Sequence, residues 1–111
     1  LSRISKTPKP PYYAVIFTSQ RTAGNNGYDA MSEKMVQLAS EQHGFLGAES
    51  VRDEAGFGIT ISYWKSLEDI QAWKENREHK RAQKLGKEQW YDSFMTRICF
   101  VERDSSADHK Q

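Results

Sequence analysis

Hydrophobic and polar positions along the chain alternate between two periods, and their order predicts the elements. Tyr12–Thr18 (YYAVIFT) is aromatic and β-branched on both parities, the pattern of a strand covered on both faces. A polar Gly/Asn loop follows. Met31, Met35, Leu38 and Ala39 then fall at i, i+4, i+7 and i+8, one stripe of an amphipathic helix, with Gly44 as its stop. Phe45–Arg52 predicts a second strand, Asp53–Gly56 a turn, and Phe57–Trp64 a third strand that closes a hairpin. In that third strand Phe57, Ile59, Ile61 and Tyr63 oppose Gly58, Thr60, Ser62 and Trp64. Ser66 with Asp69 resembles a capping box opening a second helix.

The second helix carries a conflict. Ile70 and Trp73 begin an apolar stripe that Arg77 and Lys80 would continue, while Ala82 and Leu85 lie out of phase with it. A break near Asn76, with Asn76 capping a second helical piece that Gly86 ends, is the expected resolution. A short turn with Trp90 and Tyr91 leads into a last strand, Phe94–Arg103.

Strand, helix, strand, strand, helix, strand predicts an α+β ferredoxin-like sandwich, an antiparallel sheet with both helices on one face. Such a sheet normally shows polar residues to water on its other face. Here Tyr12, Ala14 and Ile16 oppose Tyr13, Val15 and Phe17, and Ile98 and Phe100 oppose Cys99 and Val101. Both faces therefore need cover, and a second copy of the chain, a homodimer through the sheet face, is the simplest supplier.

Composition narrows the class. At 111 residues, with 37% hydrophobic residues, three Trp, five Tyr and five Phe, the chain suits one folded domain of residues 12–103. Residues 1–11, with Pro8, Pro10 and Pro11 and several cations, predict an extended arm with no packing of its own, and residues 104–111 a polar tail. A net charge of +1, with cations and glutamates interleaved along the second helix, gives no stripe for nucleic acid. No apolar run approaches the ~20 residues of a membrane span. The single cysteine, Cys99, favours a reducing, cytoplasmic setting.

No Gly-rich phosphate loop, Cys/His metal spacing or Gly-x-Ser-x-Gly occurs, so no cofactor or metal is expected. Of His43, His79 and His109, only His79 lies among aromatics in sequence, between Trp73 and the Trp90–Tyr91 pair, and it is the candidate proton acceptor. Trp64, Trp73, Trp90 and Tyr91 are candidates to wall an apolar pocket for a flat ligand. Thr60 is a candidate for its floor and Arg97 for holding a ligand oxygen.

These residues resemble the antibiotic biosynthesis monooxygenase (ABM) superfamily of dimeric α/β-barrel proteins. His43-Gly44-Phe45-Leu46-Gly47 is similar to that family's Pro-Gly-Phe-Leu-Gly. Tyr63-Trp64-Lys65-Ser66, the series Trp73, His79, Ala82, Gly86, Trp90-Tyr91, and the ending Val101-Glu102-Arg103 extend the likeness over residues 12–103. The resemblance implies a homodimer with a pocket between each sheet and its own helices. It also implies a small monooxygenase acting on an aromatic or quinol substrate without metal or flavin. The catalytic sets are incomplete. The quinol branch carries a third-strand Asn, a Trp and a Tyr where this chain has Thr60, Trp64 and Ile70. The haem-degrading branch carries a Trp, a His and a first-strand Asn; here Trp73 matches the Trp, Gln83 occupies the position of the His, and the first strand has no Asn. Haem binding or degradation is thus one alternative, and a non-catalytic ligand-binding or stress-related dimer another.

Overall fold

The computed structural model describes residues 3–23, 28–82 and 91–107. It holds β1 (Tyr12–Arg21), α1 (Tyr28–Ser40), β2 (Phe45–Arg52), β3 (Phe57–Trp64), α2 (Leu67–Ala82) and β4 (Tyr91–Val101). The strands form one antiparallel sheet in the order β2-β3-β1-β4. This is the ferredoxin-like α+β fold that the hydrophobic pattern predicts.

Four features differ from those expectations, one being that β4 ends at Val101, with Glu102 and Arg103 outside it. β1 continues to Arg21, because Thr18, Ser19 and Gln20 still pair with Ile59, Gly58 and Phe57. Tyr91 is the first residue of β4 rather than part of a turn, since β1 extends far enough to pair Arg21 with it. The expected break near Asn76 is absent: α2 runs through Asn76 and Arg77 to Ala82. Arg77 is half-buried, so its aliphatic stem continues the stripe of Ile70 and Trp73 where sequence alone sees only a charge. The remainder of the expected second piece, Gln83 to Gly86, and the turn that follows as far as Trp90 lie outside the described residues, as do His109 and the end of the tail.

Cross-strand partners in an antiparallel sheet point to the same side, so the register sorts every side chain. Trp64, Ser62, Thr60 and Gly58 of β3 share a face with Tyr13, Val15, Phe17 and Ser19 of β1. Phe94, Thr96, Ile98 and Phe100 of β4 share it too, as do Ala48, Ser50 and Arg52 of β2. Trp64 stacks on Trp73 of α2, so this is the helix-side face. α1 packs next to β2 and α2 next to β3. The opposite face carries Tyr12, Ala14, Ile16, Ile59, Ile61, Tyr63, Met95, Arg97 and Cys99.

That opposite face receives cover from an unexpected source. The N-terminal arm lies across its β2 end. The Ser5 amide donates to Glu49 Oε2 at 2.9 Å, and Ser5 Oγ donates to the Ala48 carbonyl at 3.2 Å. Ser5 sits where a side chain on Gly47 would be: a Cβ there would lie 2.9 Å from it, and Gly47 has φ +153°. Glu49 Oε1 accepts from Tyr63 Oη at 2.8 Å, and burial with this bond pushes the Tyr63 phenol up to about 12. Tyr12 ties both chain ends together. Its hydroxyl accepts from Thr7 Oγ1 at 2.9 Å and donates to Asp104 Oδ2 at 2.5 Å, and the bond to Asp104 raises its pKa. Tyr12 and Ala14 are each 5% exposed in consequence. Small polar side chains and backbone groups hold the arm, with no apolar stripe to announce it.

Removing the Tyr12 hydroxyl takes the partner from half-buried Thr7 and unties the exposed Asp104 from the sheet. Tyr12→Phe is expected to lower stability in urea unfolding by about 1–2 kcal/mol and to speed hydrogen exchange at the Ser5 amide. Unchanged exchange at Ser5 would show that the arm is held independently of Tyr12.

Candidate functional site

The helix-side layer is organised by Trp64. Its side chain is fully buried, edge-on to Phe45 at a centroid distance of 5.4 Å and stacked on Trp73 at 6.3 Å with 22° between planes. Its Nε1–H donates to Ser62 Oγ at 2.9 Å, so the one polar atom of the indole is satisfied inside the sheet's own surface. Seating a flat ligand between two parallel rings needs about 7–8 Å, two carbon–carbon contact distances. The two indoles therefore stack on each other as one wall and leave no room for a flat guest between them. Ile70, at the position of the quinol branch's Tyr, is buried in the core.

Towards the other end of β3 the face becomes small and polar. Thr60 Oγ1 and Ser50 Oγ share a hydrogen bond of 2.7 Å. The Arg52 guanidinium lies over Gly58, where a Cβ would stand 2.6 Å from Cζ. It donates to Ser19 Oγ at 2.8 Å and to the Gly56 carbonyl at 2.5 Å, and sits 5.9 Å from the centre of the Tyr91 ring. Tyr91 packs edge-on to Phe17 at 5.4 Å, and Phe17 lies 5.6 Å from Phe94. Along β4 on this side, Phe94, Ile98 and Phe100 are 55%, 54% and 57% exposed.

Of the residues singled out from sequence, Thr60, Trp64, Trp73 and Tyr91 thus belong to one side of the sheet. Arg97 does not. It pairs with Ile16, and its side chain is exposed on the helix-free face, so it is not placed to hold an oxygen in the helix-side layer. The His79 backbone belongs to α2, while its side chain lies outside the described residues, as does Trp90. Arg52 and Phe94 were missed. Nothing in their local sequence marks them; only the pairing of Arg52 with Gly58 and of Phe94 with Ser19 brings them to this face.

A second polar cluster joins the two helix–strand junctions. Ser66 caps α2: Asp69 N donates to Ser66 Oγ at 3.0 Å, and Ser66 Oγ donates to Asp69 Oδ2 at 2.8 Å. The other carboxylate oxygen receives His43 Nδ1 at 2.8 Å. Gly44, φ +84°, brings the backbone so close that a Cβ would lie 2.0 Å from Asp69 Oδ2. Its carbonyl accepts from Lys65 N at 2.8 Å. The imidazole is largely exposed, with 84% of its side-chain surface open, and the arrangement works as a clasp between the α1–β2 turn and the start of α2. Ser66 donates to Asp69 and not to His43, so no nucleophile relay is formed.

Two antiparallel βαβ halves with an aromatic wall under α2 define a ferredoxin-like domain of the small αβ type. The sequence pattern of the antibiotic biosynthesis monooxygenase family matches residues 24–85, and the chain belongs to that family. It is 49% identical over 100 residues to the uncharacterized protein YqjZ of Bacillus subtilis, covering 90% of this chain and 88% of that one. Among solved structures, PA3566 from Pseudomonas aeruginosa superposes with a TM-score of 0.65 at 16% identity, over 88% of this chain and 99% of its own. A conserved protein from Methanosarcina mazei Go1 superposes with the same score at 11% identity, over 85% and 94%.

The clasp makes stability depend on acid. The hydrogen bond from His43, with that from Ser66, lowers the Asp69 pKa below its ordinary value. A depressed carboxylate stabilises the fold above its unfolded pKa of about 3.9 and loses that contribution as pH falls through the lower folded value. Asp69→Asn is expected to be less stable than the parent at pH 7, with the gap closing below about pH 4. Urea midpoints across that range check it; a gap independent of pH would mean that the carboxylate charge plays no part.

Proposed function

We propose that the chain is a small monooxygenase-like enzyme, working without metal or flavin, that binds a planar aromatic or quinol between the sheet and its helices. The observation that carries this reading is the exposed apolar strip of Phe94, Ile98 and Phe100 on the helix-side face. It continues the aromatic group of Phe17 and Tyr91, on the same face as Trp64 and the Trp73 that stacks on it. Apolar surface next to a rigid aromatic wall and a small polar patch suits a flat ligand with a few hydroxyls. Membership in the ABM family agrees with oxygenase chemistry.

The reaction this site would serve converts a hydroxyarene and O₂ to a quinone and water. A base removes the phenolic proton, the anion passes one electron to O₂, and the two radicals join at a ring carbon. Loss of that carbon's hydrogen, with cleavage of the O–O bond, leaves one oxygen as the new carbonyl and releases the other as water. His79 is proposed as the base. Trp73 provides the wall, Tyr91 and Arg52 the polar end where negative charge on oxygen is stabilised, and Thr60 part of the floor. Anaerobic loading of a hydroxynaphthalene and hydroxyanthracene panel followed by O₂ admission is expected to consume one O₂ per quinone formed. His79→Ala is expected to slow this by about a hundredfold or more without altering the urea midpoint. No uptake by the parent across the panel would end the enzyme reading and leave the non-catalytic ligand-binding dimer.

We also propose that the protein is a homodimer through the helix-free face. The arm covers only the Tyr12–Tyr63 end of it. Beyond, Val51, Phe57 and Met95 are 65%, 47% and 51% exposed, flanking half-buried Ile16, Ile59 and Ile61. A light-scattering mass near twice 12.8 kDa is expected at micromolar concentration, and Ile61→Asp is expected to halve it. A parent mass of 12.8 kDa would refute this assembly.

A further inference from the structure

Polar atoms shut between a helix and a sheet normally have partners. The helix-side layer mostly obeys this: Ser50 pairs with Thr60, and Trp64 with Ser62. Asn76 departs from it. Its Oδ1 is closed off from solvent, and among the described residues no donor lies within hydrogen-bond distance. Asn76 stands in α2 three residues after Trp73, so the two side chains are neighbours on the helix surface. Asn is also a poor choice for a helix interior, because its amide competes for backbone hydrogen bonds. Among the described residues, then, nothing repays the cost of this buried amide oxygen within the helix. A local choice that works against the fold without compensation marks a contact made to something else.

We infer that Asn76 is the polar contact for a hydroxyl group on the ligand: its Oδ1 accepts a hydrogen bond from a phenolic O–H of a planar aromatic bound beside Trp73. This rests on the reading of the helix-side layer as an aromatic-binding site, and it adds a selectivity to that site. A phenol or quinol presents a donor to the buried oxygen, whereas an aryl methyl ether presents only an acceptor. Seating the ether brings two lone pairs together and leaves Asn76 unsatisfied. The preference falls on the reduced, hydroxylated form of a ring system rather than on its shape alone.

The test compares hydroxynaphthalenes and hydroxyanthracenes with their methyl ethers by anaerobic titration calorimetry on the parent, Asn76→Leu and Asn76→Ala. The parent is expected to bind each phenol about tenfold or more tighter than its ether, the worth of one buried hydrogen bond. Both variants are expected to bring that ratio close to one. Asn76→Leu, which removes an unsatisfied oxygen at similar volume, is expected to melt at or above the parent's temperature without ligand. Binding by the parent with a phenol-to-ether ratio that neither substitution changes would mean that the oxygen serves a buried water only. A marked fall in melting temperature for both variants would mean a structural role. Either result overturns the inference while leaving the aromatic-binding reading intact. A parent that binds no member of the panel overturns both.

Discussion

The burial of one indole governs this fold. Trp64 closes β3, and its side chain has to be covered on both sides at the point where the chain leaves the sheet for α2. Phe45 covers it from β2, and Trp73 from two turns into α2. Fully burying a side chain of this size is worth several kcal/mol, about the loss expected on truncating a buried Trp to alanine. That single contact fixes α2 to the β2–β3 half of the sheet. The Ser66 cap and the His43–Asp69 clasp then hold the helix start at the angle the stack requires. With α2 committed to that half, the β1–β4 half is left with Phe94, Ile98 and Phe100 facing outward on the same side. The open strip follows from where the tryptophan is satisfied.

The other side of the sheet answers a different constraint. β1 is apolar on both parities, so neither face can be surrendered to water. The sequence makes this need plain, and it also makes the element order plain, because strand alternation and helical periodicity are properties of short segments. It does not show that residues 3–11 supply part of the cover. The arm is held by Ser5, Thr7 and the backbone, residues whose hydrogen bonds leave no periodic mark, and the partners of Ser5, Ala48 and Glu49, are remote in sequence. The same reasoning explains α2. A charge at Arg77 interrupts an apolar stripe on paper, yet the stem of a half-buried arginine continues it in space, so the helix has no cause to break.

The candidate site divides in the same way. Thr60 and Trp64 were legible because alternate residues of β3 are small except at its end, a pattern that leaves room under a helix. Arg97 was misplaced although the parity of β4 was read correctly. Its parity is that of Cys99 and Val101; which parity meets the helices depends on the β1–β4 register, and register depends on both strands together. Arg52 shows the complement: a basic residue at a hairpin, unremarkable in sequence, is drawn onto the helix-side face by its pairing with Gly58. His43 lacks any local signal, and its role emerges only through Asp69, far along the chain.

The departures from the family's catalytic sets acquire a physical sense in this arrangement. Where the quinol branch has a third-strand Asn, Thr60 is already engaged with Ser50, and where it has a Tyr, Ile70 is packed in the core. Neither position retains a polar atom able to turn to a ligand without breaking a bond or a core contact. On the proposed reading the polar contacts lie away from β3, in α2 above it and at the Arg52–Tyr91 end beside it. An aromatic held there lies along the β1–β4 strip, next to the tryptophan stack and not beneath it. The stack can then remain a rigid structural element while the ligand-facing groups vary. On the proposed reading Trp73 serves both ends, stacking on Trp64 and walling the ligand, while Arg52, Tyr91 and Asn76 supply the polar contacts without carrying the stack.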